Sequence, residues 1–110
     1  MFVYADNAAT TCVSKTALDA MLPYLTENYG NPSSLYSFAQ KATEALAEAR
    51  KTVADCIGAD AKEIYFTSGG SEADNQAIVS AAKVGAKRGK KHIISTKFEH
   101  HAVLHTLKAL

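Results

Sequence analysis

An α/β layer is the architecture that this chain of 110 residues predicts. Three observations carry it. Apolar residues recur at helical spacing between Leu35 and Ile57; a short apolar run at Glu63 to Phe66 turns through Gly69 and Gly70 into a helix pattern; and a second short run, His92 to Ser95, leads into another helix. The order strand, turn, helix, loop, strand, helix is that of a parallel sheet with a right-handed crossover. The length allows one modest core.

From the N-terminus, Phe2 to Tyr4 is briefly apolar, and the following DNAATT is polar and small, as a loop or a site-lining segment would be. Ser14 predicts an N-cap for a helix in which Ala17, Met21, Tyr24 and Leu25 share a face. Pro23 should kink that helix or leave only its first part regular, and Gly30, Asn31 and Pro32 end it. The next helix aligns Leu35, Phe38, Ala42, Ala45, Leu46, Ala49, Val53 and Ile57 on one face, with Ser33 or Ser34 as cap and Gly58 as stop. Lys41, Glu44, Glu48, Lys51 and Asp55 form its solvated face, with Glu44, Glu48 and Lys51 at pairing distance. Strands at Glu63 to Phe66 and His92 to Ser95 flank a helix from about Ser71 to Val84 and the basic linker KRGKK, and a last helix includes Ala102 to Leu110. Two such strands cannot make a self-sufficient parallel sheet, so the chain reads as unfinished at its C-terminal end.

Composition narrows the functional classes. With 47% hydrophobic residues, 21% charged residues and a net charge of +1, the chain lacks the basic excess of a nucleic-acid binder. No apolar run approaches the roughly 20 residues that span a bilayer, and the N-terminus has no secretory pattern, so a cytoplasmic protein is expected. Cys12 and Cys56 form no CxxC pair and suggest neither a zinc site nor a disulfide framework. Cys12 reads as a small turn residue and Cys56 as a packed, inert thiol.

Two segments carry chemistry. In EIYFTSGGSEADN, Gly69, Gly70 and Ser71 stand where backbone N–H groups and the positive end of a helix dipole converge, which is the outline of an anion site. The same residues also serve plain turn and capping purposes, and composition leaves both readings open. Neither GxxxxGK[ST] nor GxGxxG is present, against a triphosphate or dinucleotide loop. In EHHAVLH, His100 follows a predicted strand and so lies where open α/β sheets bind ligands. His101 and His105 have a metal-compatible spacing, but without a third ligand or HExxH they read as helix-surface residues. His92 reads as a solvated edge residue.

Taken in order, YADNAATT, GNPSS, EARKTVADCIGA, EIYFTSGGSEADNQAI and KKHIISTKFEHHAVL resemble the N-terminal part of the cysteine desulfurases, pyridoxal 5'-phosphate enzymes of the aminotransferase class V group with the fold type I architecture. The resemblance covers essentially the whole chain. It implies the start of the large cofactor domain at residues 32–110, and at residues 1–31 a segment belonging to the small domain or the subunit interface. It assigns the cofactor phosphate to Gly70 and Ser71, a position over the cofactor ring and a part in proton movement to His100, and the lining of the substrate pocket to Asp6, Asn7, Ala8 and Thr10. No metal is implied. The family converts L-cysteine to L-alanine and a protein-bound persulfide, works as a homodimer, and hands sulfur to an acceptor or scaffold protein, with no nucleic acid or membrane involved.

Two residues depart from the family pattern. Tyr36 and Ala39 stand where a histidine and a glycine commonly follow GNPSS, and tyrosine cannot exchange protons near neutrality as histidine does. Cys12 stands where relatives usually have proline and is not the persulfide-forming thiol. The family's Schiff-base lysine, pyridine-nitrogen aspartate and persulfide-forming cysteine all lie beyond the last residue, so the 110 residues alone are expected to be inactive. Related class V activities such as selenocysteine lyase, or a non-catalytic anion-binding module, are the alternatives that the sequence leaves.

Overall fold

The computed structural model describes residues 1–110. It contains four α-helices: α1, Lys15–Thr26; α2, Gln40–Ile57; α3, Gly70–Lys87; and α4, His101–Ala109. Single 3₁₀ turns at Ser37–Ala39 and Ala61–Glu63 bracket α2. The chain divides into two compact units, Met1–Ile64 and Tyr65–Leu110.

In the first unit, Ser14 caps α1 as expected, its hydroxyl accepting the Ala17 N–H at 3.2 Å. The helix continues through Pro23 to Thr26. Proline so close to the C-terminal end deletes only the N–H that would have reached back to Asp19, a loss that one remaining turn tolerates. Neither Ser33 nor Ser34 caps α2. The chain first makes the 3₁₀ turn, and Ala39 stands at the α2 N-cap with no capping side chain. The serines are instead held in a turn of their own, with Ser33 N–H on Asn31 Oδ1 at 2.9 Å and Ser34 N–H on the Asn31 carbonyl at 2.9 Å. At its other end α2 stops where the sequence places the stop, at Gly58, whose φ of 68° is left-handed.

Close packing in this unit centres on Ala39. A Cβ on Gly30 would stand 2.8 Å from Ala39 Cα, so glycine is required there by the approach of the two backbones. Tyr29 meets Phe38 edge-on at 5.2 Å, and Thr43 Oγ1 donates to the Pro32 carbonyl at 2.8 Å. Arg50 Nε donates to the Ile64 carbonyl at 3.1 Å and anchors the chain that leaves α2. The solvated face of α2 pairs in part as expected: the Glu48 charge acts on Lys51, which itself bonds Asp55 at 2.6 Å, one turn on, while Gln40 bonds Glu44 at 3.0 Å.

The second unit packs α3 against α4. Ile78, Ala82, Val103 and Leu107 line a groove whose rim includes Ile93 and Ile94, both exposed.

Neither expected strand forms. Ile64 has extended dihedrals, φ −92° and ψ 123°, but Glu63 ends a 3₁₀ turn, and residues 64–66 and 92–95 enter no ladder. A strand exists only with a neighbour to take its N–H and C=O groups. Residue preference supplies the extended backbone and cannot supply the neighbour.

The expected helical faces are not buried. On the face expected for the second helix, Leu35 lies before α2 and is 103% exposed, Ile57 is 68% exposed, and the one buried residue of α2, Ala54, is off that face. The buried residues are only Ala39, Ala54 and Thr106. Cys56, expected to be packed, is exposed. No helix is long and apolar enough to cross a membrane.

Candidate functional site

The site is built where α3 begins. Gly69, at the N-cap, has an extended backbone and no side chain with which to cap the helix. The first turn is fastened from the other side: Glu72 accepts the Ser68 N–H and the Ser68 hydroxyl, each at 2.7 Å. The bond from the Ser68 backbone, and then that from its hydroxyl, hold the Glu72 carboxyl below its ordinary range. With Glu72 engaged by Ser68, the N–H groups of Gly70 and Ser71 stand at the positive end of an 18-residue helix, beside the Ser71 hydroxyl.

Glycine at this turn is not a requirement of the fold. A Cβ added to Gly69 or to Gly70 meets nothing within 4 Å, and neither residue has the left-handed φ that Gly58 and Gly89 show. The open space in front of the backbone is what an anion needs in order to approach the N–H groups closely.

His100 does more than sequence position suggests. It is the N-cap of α4, and its Nδ1 accepts the Ala102 N–H at 3.1 Å. A nitrogen that accepts carries no proton, so the ring proton lies on Nε2. Just upstream, Thr96 Oγ1 donates to Glu99 at 2.8 Å and holds the turn that delivers His100.

Ser71 and His100 line one cleft of about 420 Å³, together with Asn75, His101, His105 and Thr106. Asn75 and Thr106 were not legible as site residues: in sequence they are an ordinary polar residue on each of two helices. Their only signal is spacing, since Asn75 lies four residues after Ser71 and Thr106 four after Ala102. His101 and His105 follow each other up α4 with ring centroids 5.3 Å apart. No cluster of three or more His, Cys, Asp or Glu side chains offers a metal site.

Asp6, Asn7, Ala8 and Thr10 belong to the first unit and form a compact turn. The Asp6 carbonyl accepts the N–H groups of Ala9 at 3.1 Å and Thr10 at 3.4 Å, and the hydroxyls of Tyr4 and Thr10 are bonded at 2.8 Å. These four residues are exposed. Tyr36, at the departure from the family pattern, is 76% exposed, whereas Ala39 is buried against Gly30.

Comparison with known proteins places this geometry. The chain is 56% identical over 104 residues to the cysteine desulfurase IscS of Methanosarcina thermophila, covering 94% of this chain and 26% of that protein. It is 54% identical over 108 residues to the cysteine desulfurase IscS of Clostridium botulinum, covering 98% of this chain and 27% of that protein. A solved structure of a NifS-like protein superposes with a TM-score of 0.87 at 38% identity, over 99% of this chain and 30% of the other. The chain thus has the fold of a segment of that protein, and it spans about a quarter of the length of the curated relatives it matches. The profile of the family Aminotransferase class-V matches residues 3–110, and the chain belongs to that family.

Proposed function

We propose that the chain is the N-terminal part of a pyridoxal-phosphate-dependent cysteine desulfurase. The observation that carries the reading is that the uncapped Gly70–Ser71 end of α3 and the ring of His100 belong to one small region, with Ser71 and His100 on the same cleft. The residues present fit the cofactor: an anion-receptive helix end with open space before both glycines, a hydroxyl donor, and an imidazole whose tautomer is set. The names and identities of the relatives support it.

In this reading Gly70 and Ser71 bind the phosphate through backbone N–H and hydroxyl. When bound, pyridoxal phosphate supplies an electron sink for the substrate amino acid. His100, with Nδ1 engaged in capping α4, has Nε2 left to hold or move a proton. The turn of Asp6, Asn7, Ala8 and Thr10 lines the pocket for L-cysteine, and the product is L-alanine with sulfur retained on the protein for an acceptor or scaffold protein. Residues 32–110 begin an α/β large domain of fold type I, residues 1–31 serve the small domain or a homodimer interface, and the protein is cytoplasmic. The segment by itself is expected to turn nothing over, since it spans only about a quarter of each relative.

The test uses the complete polypeptide that carries this segment. It is expected to bind pyridoxal phosphate with a visible absorbance band and to release alanine from cysteine. Ser71→Ala removes one donor to a charged group and should weaken cofactor affinity roughly ten- to hundredfold. His100→Asn keeps a side-chain acceptor for the helix cap but no titratable nitrogen, so turnover should fall while the thermal midpoint stays near that of the parent. Unchanged affinity in the first variant together with unchanged turnover in the second would remove both assignments.

A further inference from the structure

Thr106 is the one buried polar residue of the chain, 6% exposed, while most of the large apolar side chains lie open. Its hydroxyl lies within hydrogen-bond reach of two acceptors: the Ala102 carbonyl one turn back on α4, at 2.7 Å, and Asn75 Oδ1 on α3. Asn75 in turn donates from Nδ2 to the Ser71 carbonyl at 2.5 Å. Ala102, at the other end, gives its N–H to His100 Nδ1 at 3.1 Å. The Thr106 hydroxyl thus stands between two local sets of bonds, Asn75 with Ser71 on α3 and Ala102 with His100 at the start of α4. A hydroxyl has a single proton, so Thr106 holds its own helix or the neighbouring one at any moment, and one methyl-for-hydroxyl exchange takes away both options.

We propose that Asn75 and Thr106 are positioning residues that fix His100 relative to the Gly70–Ser71 end of α3. The inference rests on the functional reading above. A back-bond to the carbonyl four residues earlier is ordinary for a helical threonine, as at Thr26 and Thr43; what sets Thr106 apart is that the same hydroxyl also reaches Asn75 on the neighbouring helix. Asn75 reaches back to the carbonyl of Ser71, which lines the cleft, and Thr106 to the carbonyl of Ala102, whose N–H is taken by His100 Nδ1. Both side chains also line the cleft, but the bonds they make run to the backbone carbonyls of Ser71 and Ala102, so each acts through a neighbour. The other titratable groups beside His100 are Glu99, engaged by Thr96, and His101 and His105 on α4.

The experiment compares Thr106→Val, Thr106→Ser and Asn75→Ala in the complete polypeptide. Three quantities are read: the dissociation constant of pyridoxal phosphate, the ¹⁵N shifts of the His100 ring at a pH where it is neutral, and the thermal midpoint. Thr106→Val and Asn75→Ala should each weaken cofactor binding about three- to tenfold, the scale of one neutral hydrogen bond, and move the His100 ring from the pure Nε2–H form to a tautomer mixture. Thr106→Ser should restore both. If Thr106→Val does not fold, Asn75→Ala and Thr106→Ser decide. A lowered midpoint with the tautomer and affinity unchanged would mean packing only and would overturn the inference, as would failure of serine to restore them. Ser71→Ala keeps the two levels apart: if it leaves cofactor affinity untouched while Thr106→Val still shifts the tautomer, the functional reading fails and the positioning role stands.

Discussion

Gly30 and Gly70 are the same residue type under opposite constraints, and the difference separates fold from site. At Gly30 a Cβ would meet backbone 2.8 Å away, so Gly30→Ala forces the 3₁₀ turn at Ser37–Ala39 off its seat and should cost about 1–3 kcal/mol. At Gly70 a Cβ meets nothing, and the residue is the first of α3. Alanine there improves helix propensity by up to about 1 kcal/mol, so Gly70→Ala should leave the protein as stable or more so. Alanine keeps both backbone N–H donors and meets no neighbour, so cofactor binding should stay within about threefold of the parent. Denaturation midpoints and cofactor titration of the two variants check the pair; a Gly70→Ala protein that is destabilised or loses the cofactor would show that the space before Gly70 is required. At this scale the sequence was informative about chemistry and poor about neighbours. His100, Gly70 and Ser71 stood out as types in a pattern, while Asn75 and Thr106 matter only through contact across two helices, which no spacing along one helix reveals.

Helices were legible because their determinants are local. Ser14 as cap and Gly58 as left-handed stop both work through residues within one turn, and the structure uses them at the places their chemistry indicates. The Ser33 and Ser34 caps failed because Asn31 engages the chain first, and the strands failed because pairing is a property of two segments. The start of α3 gives a prediction at this scale. Glu72 clasps Ser68 through a charge-assisted bond that lowers the carboxyl pKa in the folded state. A group depressed on folding contributes its stabilisation above its ordinary value of 4.5, and that contribution is lost as pH falls through the depressed value. The protection of the Ser68 amide, relative to its intrinsic exchange rate at each pH, should therefore hold from neutrality down past the ordinary carboxylate range and fall below it. Glu72→Gln should abolish the pH step while keeping part of the protection. A Ser68 amide equally protected on both sides of the transition would mean that the clasp does not hold the turn.

At the scale of the molecule, area decides how the chain behaves. It exposes 9421 Å², against about 5,900 Å² for a compact monomer of the same mass. A fully extended chain of this size would expose about 17,000 Å², so folding here buries about 7,500 Å² where a compact domain would bury about 11,000 Å². The surface left open includes Met21, Leu25, Leu35, Ile57, Ile94 and Phe98, residues that periodicity assigns to buried faces or that lie in or beside the segment expected as the second strand. Heat capacity and denaturant sensitivity of unfolding both scale with the area exposed. The 110 residues on their own should then unfold with a heat-capacity change of about 1.0 kcal/mol/K in place of about 1.5, and with a urea m-value about one third lower than that of a compact domain of this length. They should also bind a hydrophobic dye in the folded state, because large apolar side chains such as Leu35 and Phe98 lie open. Calorimetry and urea titration at several protein concentrations test this. Values typical of a compact domain that do not vary with concentration would show that the chain closes its own apolar faces. Values that rise with concentration would show that a second copy covers them.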